Sequence, residues 1–291
     1  MKLPPFALHR PESAGQASRL LADLGDEGAA YCGGTELLLA MKLGLASYEH
    51  LIDLKRVDEL RGITALASGG VRIGAAATHR EIETSAVLRA RYPELGAMIA
   101  QVANVRVRSV GTLGGNLCFA DPHSDPASFL LAADAVFVCQ QDETTRRVPA
   151  AAFFTGLYET ALAPGELLTA VDLPARPDRA ALSHVRFKLT ERPSVTVSVM
   201  LTLAAGGSAA GAVSEARLVV GSVGSVPFAA DTTVLLGASP SGFDAAAEQC
   251  AEQAAAGCAP LPDGEASAEY LRHLAFLHGR QALRDAFARA S

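Results

Sequence analysis

Apolar residues recur at helical spacing from 11 to 24, with Ala14, Ala17, Leu20, Leu21 and Leu24 on one stripe and Gly25 after them. A short apolar run at 29–32 then predicts a buried strand, 37–43 a helix closed by Gly44, and 50–54 a second strand. Strand, glycine turn, helix and strand make a βαβ unit, whose crossover is expected to be right-handed. Residues 62–76 carry a hairpin pattern that turns at Ser68-Gly69-Gly70. Thr78 stands where an N-cap belongs, with Glu81 placed for the reciprocal capping-box bond in a helix reaching Thr84. Pro93 opens a further helix, expected to run to Asn104 with Val102 and Ala103 in its last turn. Helical spacing returns at 126–133, a strand at 135–139, a polar turn at 140–147 and a strand at 166–173.

The pattern changes after 174–179, where two prolines and mixed charge mark a boundary. Residues 184–189 alternate, with Val185, Phe187 and Leu189 on one face and His184, Arg186 and Lys188 on the other. Residues 195–203 alternate again, and 216–220 supply a third strand. Together they predict a three-stranded antiparallel sheet with one buried face, followed by helices at 229–236, 243–256 and 267–288. The chain therefore reads as α+β, with one domain at 1–176 (subdivided into about 1–57 and 58–176) and another at 177–291.

Two glycine-rich stretches carry the candidate chemistry. Residues 111–125 read Gly-Thr-Leu-Gly-Gly-Asn-Leu-Cys-Phe-Ala-Asp-Pro-His-Ser-Asp. Positive φ is expected at Gly111, Gly114 and Gly115, leaving main-chain N–H groups free to form a nest for anionic oxygen. Thr112 and Asn116 add donors, while Asp121 and Asp125 add acceptors suited to the hydroxyls of a sugar or ribityl chain. The plainer alternative is a structural connection whose aspartates cap turns and the next helix. The second stretch, 32–37, follows a strand and opens a helix, at the positive end of that helix's dipole. It has neither GxGxxG spacing nor the Lys-Ser or Lys-Thr pair of a P-loop. Two nests closing from opposite walls suit the paired phosphates of a dinucleotide.

Composition narrows the field further. A formal charge of −6 argues against a protein built to grip nucleic acid, and 49 % apolar residues supply a proper core. The five cysteines include no CxxC pair, which suits buried thiols in a reducing cytoplasm rather than disulfides or cysteine-ligated clusters. No signal-peptide pattern and no membrane-crossing apolar run is read, so the expected location is cytoplasmic, without direct membrane insertion. No metal site is expected on this chain: His79 and Glu83 are two groups without a third, and His273 and His278 are five apart. His123 reads as a turn-filling residue or a neighbour of the ligand.

At this point an ordered set of motifs becomes recognisable. Tyr-Cys-Gly-Gly-Thr-Glu-Leu-Leu at 31–38, Leu-Ile-Asp-Leu at 51–54 and Arg-Ile-Gly-Ala-Ala-Ala-Thr at 72–78 are followed by Gly-Thr-Leu-Gly-Gly-Asn at 111–116. Asp-Pro-His-Ser-Asp at 121–125 and Gly-Glu-Leu-Leu at 165–168 complete the series. The chain resembles, over essentially its whole length, the FAD-binding medium subunit of the molybdenum hydroxylases, the carbon monoxide and xanthine dehydrogenase type. The resemblance implies a vanillyl-alcohol-oxidase (PCMH) type FAD-binding domain of two α/β subdomains, plus a smaller C-terminal domain. It assigns a first pyrophosphate loop to Cys32, Gly33, Gly34, Thr35, Glu36 and Leu37, and a second to Thr112, Gly114, Gly115 and Asn116. Ala77 and Thr78 close the matching 72–78 stretch and join the expected contacts. Asp125 takes the ribityl- or ribose-binding place, Val102 and Ala103 the flavin-contacting helix end, and Leu168 the apolar contact after the Gly-Glu turn. Lys188 matches a lysine near the flavin, its alternative being an ordinary solvated lysine.

Two departures qualify the carry-over. The turn after the Lys-bearing strand is Glu191-Arg192-Pro193-Ser194 where the family has an Asp, which withdraws an expected contact. The cysteine-rich insertion of the hydroxybenzoyl-CoA reductases is missing between Asn116 and Asp125, so no extra [4Fe–4S] cluster is expected.

The implied role is electron relay. [2Fe–2S] clusters on a small partner would reduce FAD on this chain, and an external acceptor (quinone, NAD, ferredoxin or oxygen) would take the electrons. Substrate oxidation would occur at the molybdopterin cofactor of a large partner, in a dimer of heterotrimers. The rivals are a free-standing FAD-dependent oxidoreductase and a non-catalytic nucleotide-binding scaffold.

Overall fold

A computed structural model of the chain describes residues 2–206, 210–261 and 266–291. They form two compact units, one of Met1–Ala120, Val136–Thr155 and Glu159–Leu173, the other of Asp121–Ala135, Gly156–Tyr158 and Pro174–Ser291.

The first unit holds two sheets. Its smaller sheet has the order Ala7–His9, His50–Asp53, Gly28–Tyr31, parallel throughout. Between Gly28–Tyr31 and His50–Asp53 runs the Leu37–Leu43 helix, ended by Gly44 at φ 74°, which completes the expected βαβ unit. Ala7–His9 went unread because three residues are too few to show a period. The Ala14–Leu24 helix starts where Ser13 accepts from Gln16 N–H, leaving Pro11 and Glu12 outside. Its Ala14 and Ala17 are fully buried against Ile52 and Leu54.

The larger sheet is antiparallel, in the order Ile63–Ala65, Val71–Gly74, Leu167–Leu173, Val136–Gln141, Thr144–Pro149. Every residue of the central Leu167–Leu173 strand is buried, Asp172 included. The last strand corrects the expected polar turn at 140–147. Five of its six residues are exposed, as on a sheet edge, so polarity concealed it. Another correction concerns 93–104. The Pro93–Ile99 helix stops five residues early, because Asn104 caps a separate Val105–Arg108 helix by accepting from Arg106 and Val107 N–H at 3.0 and 3.2 Å. Val102 and Ala103 therefore lie in the connection, Ala103 at φ 44°.

The second unit is built on a four-stranded antiparallel sheet, Ala180–Phe187, Val195–Leu203, Val213–Gly221 and Phe228–Ala230. Three strands were expected, with a helix at 229–236. Instead the edge strand Phe228–Ala230 pairs with Val213–Gly221, and Asp231 starts a short 3-10 turn by accepting from Thr233 N–H and its hydroxyl at 2.9 and 2.6 Å. Helices Phe243–Gly257 and Ala268–Ala290 supply one side of this unit's core. The Asp125–Ala132 helix, buried at every residue, also packs on the sheet. All nine residues of Val195–Leu203 are accordingly buried, not only alternate ones. Two polar members of that strand are satisfied, since Ser128 Oγ lies 3.0 Å from Thr196 Oγ1 and 3.2 Å from Ser198 Oγ.

Candidate functional site

The two glycine stretches meet in the first unit. An ideal Cβ on Gly33 would fall 2.2 Å from the Val110 carbonyl oxygen and 2.8 Å from Gly111 Cα, so only glycine permits this approach. Gly34 adopts φ 69°, and a Cβ there would strike the Tyr31 ring at 2.4 Å. Burial raises the Cys32 thiol above its usual range, with Thr112 and Lys55 acting in the opposite sense. It is a packed thiol rather than a nucleophile.

The second stretch is not the open loop that its glycines suggested. Thr112 caps a Leu113–Phe119 helix, and none of Gly111, Gly114 or Gly115 has positive φ. Leu113 N–H donates to Ala77 O at 3.0 Å, Gly114 N–H to Ala75 O at 2.8 Å and Gly115 N–H to Thr112 Oγ1 at 3.2 Å. The two adjacent glycines do different things. A Cβ on Gly114 would sit 2.6 Å from Ala75 Cβ and 2.7 Å from its oxygen, so this residue lets the helix dock. One on Gly115 would meet only Thr112 Oγ1, at 2.9 Å, and that side is otherwise open.

A cavity of about 360 Å³ opens between the turns. That volume falls within the roughly 300–1,000 Å³ of small-molecule sites. It is lined by Cys32, Gly33, Gly34, Thr35, Glu36 and Leu37 of the first turn and by Thr112, Gly114, Gly115 and Asn116 of the second. Val102, Ala103 and Leu168 line it too. Ala77 and Thr78 do not. The Ala77 carbonyl holds Leu113, while Thr78 bridges to Thr112 and caps the His79–Thr84 helix with the full capping box.

Sequence reasoning passed over several groups in this wall. Arg108 fixes the Val102–Ala103 connection by donating from Nη1 to both carbonyls, at 3.0 and 3.3 Å, while its Nε donates to Glu83 at 3.1 Å. Glu166 lines the cavity with its charge matched by Arg146, whose Nε and Nη2 donate to its two oxygens at 2.6 Å each. The same guanidinium holds Glu166 below the usual carboxylate range. Cys118, an exposed residue, is also in the wall. His79 completes the list, buried and pushed down to about 4 by burial and Arg108. Only the capping role of Thr78 next to it was readable, since an isolated His four residues from a Glu carries no local signal.

Asp121, Asp125 and Lys188 belong to the second unit. Asp121 accepts from His123 N–H at 2.9 Å and from the Arg192 guanidinium. His123 is a turn residue, its Nδ1 2.9 Å from Pro193 O. Asp125 is 3 % exposed, with Oδ1 3.3 Å from His184 Nε2 and Oδ2 accepting from Arg186 at 3.1 Å. His184 Nδ1 in turn lies 2.8 Å from Ser198 Oγ, which reproduces the order of a Ser–His–Asp relay. Ser198 is 0 % exposed, however, so no substrate reaches it and the network is structural. His184 and Arg186 are thus not on a solvated face, while Lys188 is exposed just beyond the end of its strand.

A family model described as the FAD binding domain in molybdopterin dehydrogenase matches residues 4–176. The chain belongs to that family. The carbon monoxide dehydrogenase medium chain of Hydrogenophaga pseudoflava is 32 % identical over 99 % of each chain. The xanthine dehydrogenase FAD-binding subunit of Escherichia coli O157:H7 is 30 % identical over 75 % of this chain and 74 % of its own. Among solved structures, carbon monoxide dehydrogenase from Hydrogenophaga pseudoflava superposes with a TM-score of 0.94 over 100 % of both chains. Quinoline 2-oxidoreductase from Pseudomonas putida 86 does so at 0.90 and 27 % identity, over 100 % of this chain and 99 % of its own. This member of the FAD-binding family has a cradle that fits the group. Its two turns meet where Gly33 packs on Val110 and Gly111, Gly115 leaves one wall bare, and Thr35 and Asn116 line the same space.

Proposed function

We propose that the cavity between the glycine turns holds the diphosphate of FAD, and that this chain relays electrons within a molybdenum hydroxylase. The observation that carries the reading is the contact of Gly33 with Val110 and Gly111, which brings two separate turns to one cavity. Residues 32–37 and 112–116 would line the diphosphate, and Val102, Ala103 and Leu168 would provide apolar wall. Ala77 and Thr78 act from behind, by seating the second turn. Asp121, Asp125 and Lys188 are assigned to the cofactor by family resemblance. When bound, FAD supplies an isoalloxazine able to accept and release electrons singly or in pairs. The chain's own residues bind and orient it.

The electrons would come from [2Fe–2S] clusters on a small partner and leave for quinone, NAD, ferredoxin or oxygen, in a dimer of heterotrimers in the cytoplasm. Support comes from full-length similarity to chains named as medium chains of carbon monoxide dehydrogenases. No helix among the described residues is long and apolar enough to cross a membrane.

Purification with its partners provides the test. The expected preparation is yellow, with close to one FAD per copy of this chain, alongside a large molybdenum chain and a small iron–sulfur chain. A colourless chain that takes up no FAD from excess cofactor would remove the proposal. Rapid flavin reduction by a simple organic substrate in the isolated chain would favour a free-standing oxidoreductase instead.

A further inference from the structure

The cavity wall contains an imidazole whose Nδ1 has no partner. His79 is 4 % exposed, its backbone N–H donates to Gly111 O at 2.9 Å, and its Nδ1 is sealed without a hydrogen-bond partner. A Cβ on Gly111 would lie 3.4 Å from His79 Cδ2 and 3.5 Å from Thr35 Oγ1, which puts the ring where the two turns meet. The nearby charged groups offer it no relief: Arg108 is a cation without a lone pair, and the Glu83 carboxylate is taken by Arg80 and Arg108. Burial and Arg108 keep the ring neutral, so it has one donor and one acceptor nitrogen. An orphaned buried N–H is rarer than an under-used lone pair, which assigns the proton to Nε2. A donor is thereby left beside the junction of two anion-binding turns.

We propose that His79 is a phosphate-contacting residue of the dinucleotide site, its Nε2–H donating to a diphosphate oxygen of bound FAD. This rests on the FAD reading above. It gives the Nε2–H an acceptor, and it explains why a histidine rather than an apolar residue occupies the wall.

The test uses the full chain labelled with 15N-histidine and titrated separately with FAD, ADP and riboflavin. FAD and ADP should shift the His79 Nε2 resonance, whereas riboflavin, which has no phosphate, should leave it in place. The variant His79→Phe should bind FAD about tenfold more weakly, the worth of one hydrogen bond to a charged acceptor, whereas His79→Gln, which keeps an N–H donor, should lose less. The labelled wild-type chain keeps the question answerable if a variant does not fold. Stoichiometric FAD binding with an unmoved His79 signal would overturn the proposal and leave the cofactor reading standing. A shift with riboflavin equal to that with FAD would also overturn it, by placing the ring at the flavin. A chain that binds no FAD at all would sink the cofactor reading itself.

Discussion

Adjacent glycines at 114 and 115 show how identical residues acquire separate duties. Gly114→Ala would drive a methyl into Ala75, so a loss of about 1–3 kcal/mol is expected, the cost of overpacking, visible as a lower Tm. Gly115→Val would meet only the Thr112 hydroxyl, which must give up the cap bond it accepts from residue 115. Its stability should fall by about 0.5–2 kcal/mol, the worth of an N-cap, while FAD content falls at least about tenfold. Calorimetry on the apo chain and flavin absorbance on the loaded one separate the two effects. If Gly115→Val retains full FAD, the bare wall is not where the cofactor lies. Both glycine stretches were legible as a candidate site from sequence. Their backbone geometry was not, because a glycine kept for close packing and one kept for positive φ look alike in sequence. None of Gly111, Gly114 and Gly115, where positive φ was expected, has it, while Gly34, where none was expected, does. The Asp125 neighbourhood misled in another way. Alternation placed His184 and Arg186 outside, but the Asp125–Ala132 helix buries that side and their side chains bind the carboxylate. Asp125→Ala should therefore cost both fold stability and FAD retention, the latter by about 1.5–3 kcal/mol. A variant that loses stability yet keeps its FAD would make Asp125 purely structural.

Strands and helices with a clear period were read well, and those whose environment broke the period were not. The Leu37–Leu43 helix, the Val195–Leu203 strand and the capping box at Thr78 follow directly from spacing. The edge strands Thr144–Pro149 and Phe228–Ala230 gain their strand character from a neighbour far along the chain, which no local window contains. The central strand Leu167–Leu173 raises an electrostatic question, because it buries Asp172 completely within a sheet. Arg72 Nε and Nη2 donate to its two oxygens at 2.7 and 2.8 Å, and Arg147 Nη1 donates at 2.8 Å. Burial alone would raise this carboxyl, but the two guanidinium groups together outweigh it and lower the folded-state value. A group lowered on folding contributes stability above its unfolded pKa, near 3.9, and loses it as pH falls through the folded value. Wild-type stability should thus fall between about pH 5 and pH 2, with part of the fall absent in Asp172→Asn. At neutral pH that variant should be less stable by about 1–3 kcal/mol, since its half-exposed arginines can rehydrate. Glu166, lowered by Arg146, acts in the same direction and leaves the variant some residual acid sensitivity. Parallel acid-unfolding curves for the two proteins would show the pairing to be energetically idle.

At the scale of the whole molecule, chemistry and specificity are separable. The single cavity described in the first unit is lined by glycine, small polar and apolar side chains, and the acids in its wall are Glu36 and the arginine-matched Glu166. His79 is held neutral there, and burial raises the Cys32 thiol above its usual range. Such a lining can hold and orient a cofactor. The chain alone should therefore bind FAD and be thermally stabilised by it. Saturation at about a hundred times Kd is worth about 2.7 kcal/mol, and riboflavin at equal concentration should give much less. Photochemical or dithionite reduction of the bound flavin should proceed normally, because it bypasses the protein's part in electron supply. Reduction by organic substrates should stay at background until both partner chains are added, and then rise to turnover rates. Rapid anaerobic bleaching of the flavin in the isolated chain by any such substrate would mean that a reactive centre exists on this polypeptide, and the division of labour argued from its cavity would fail.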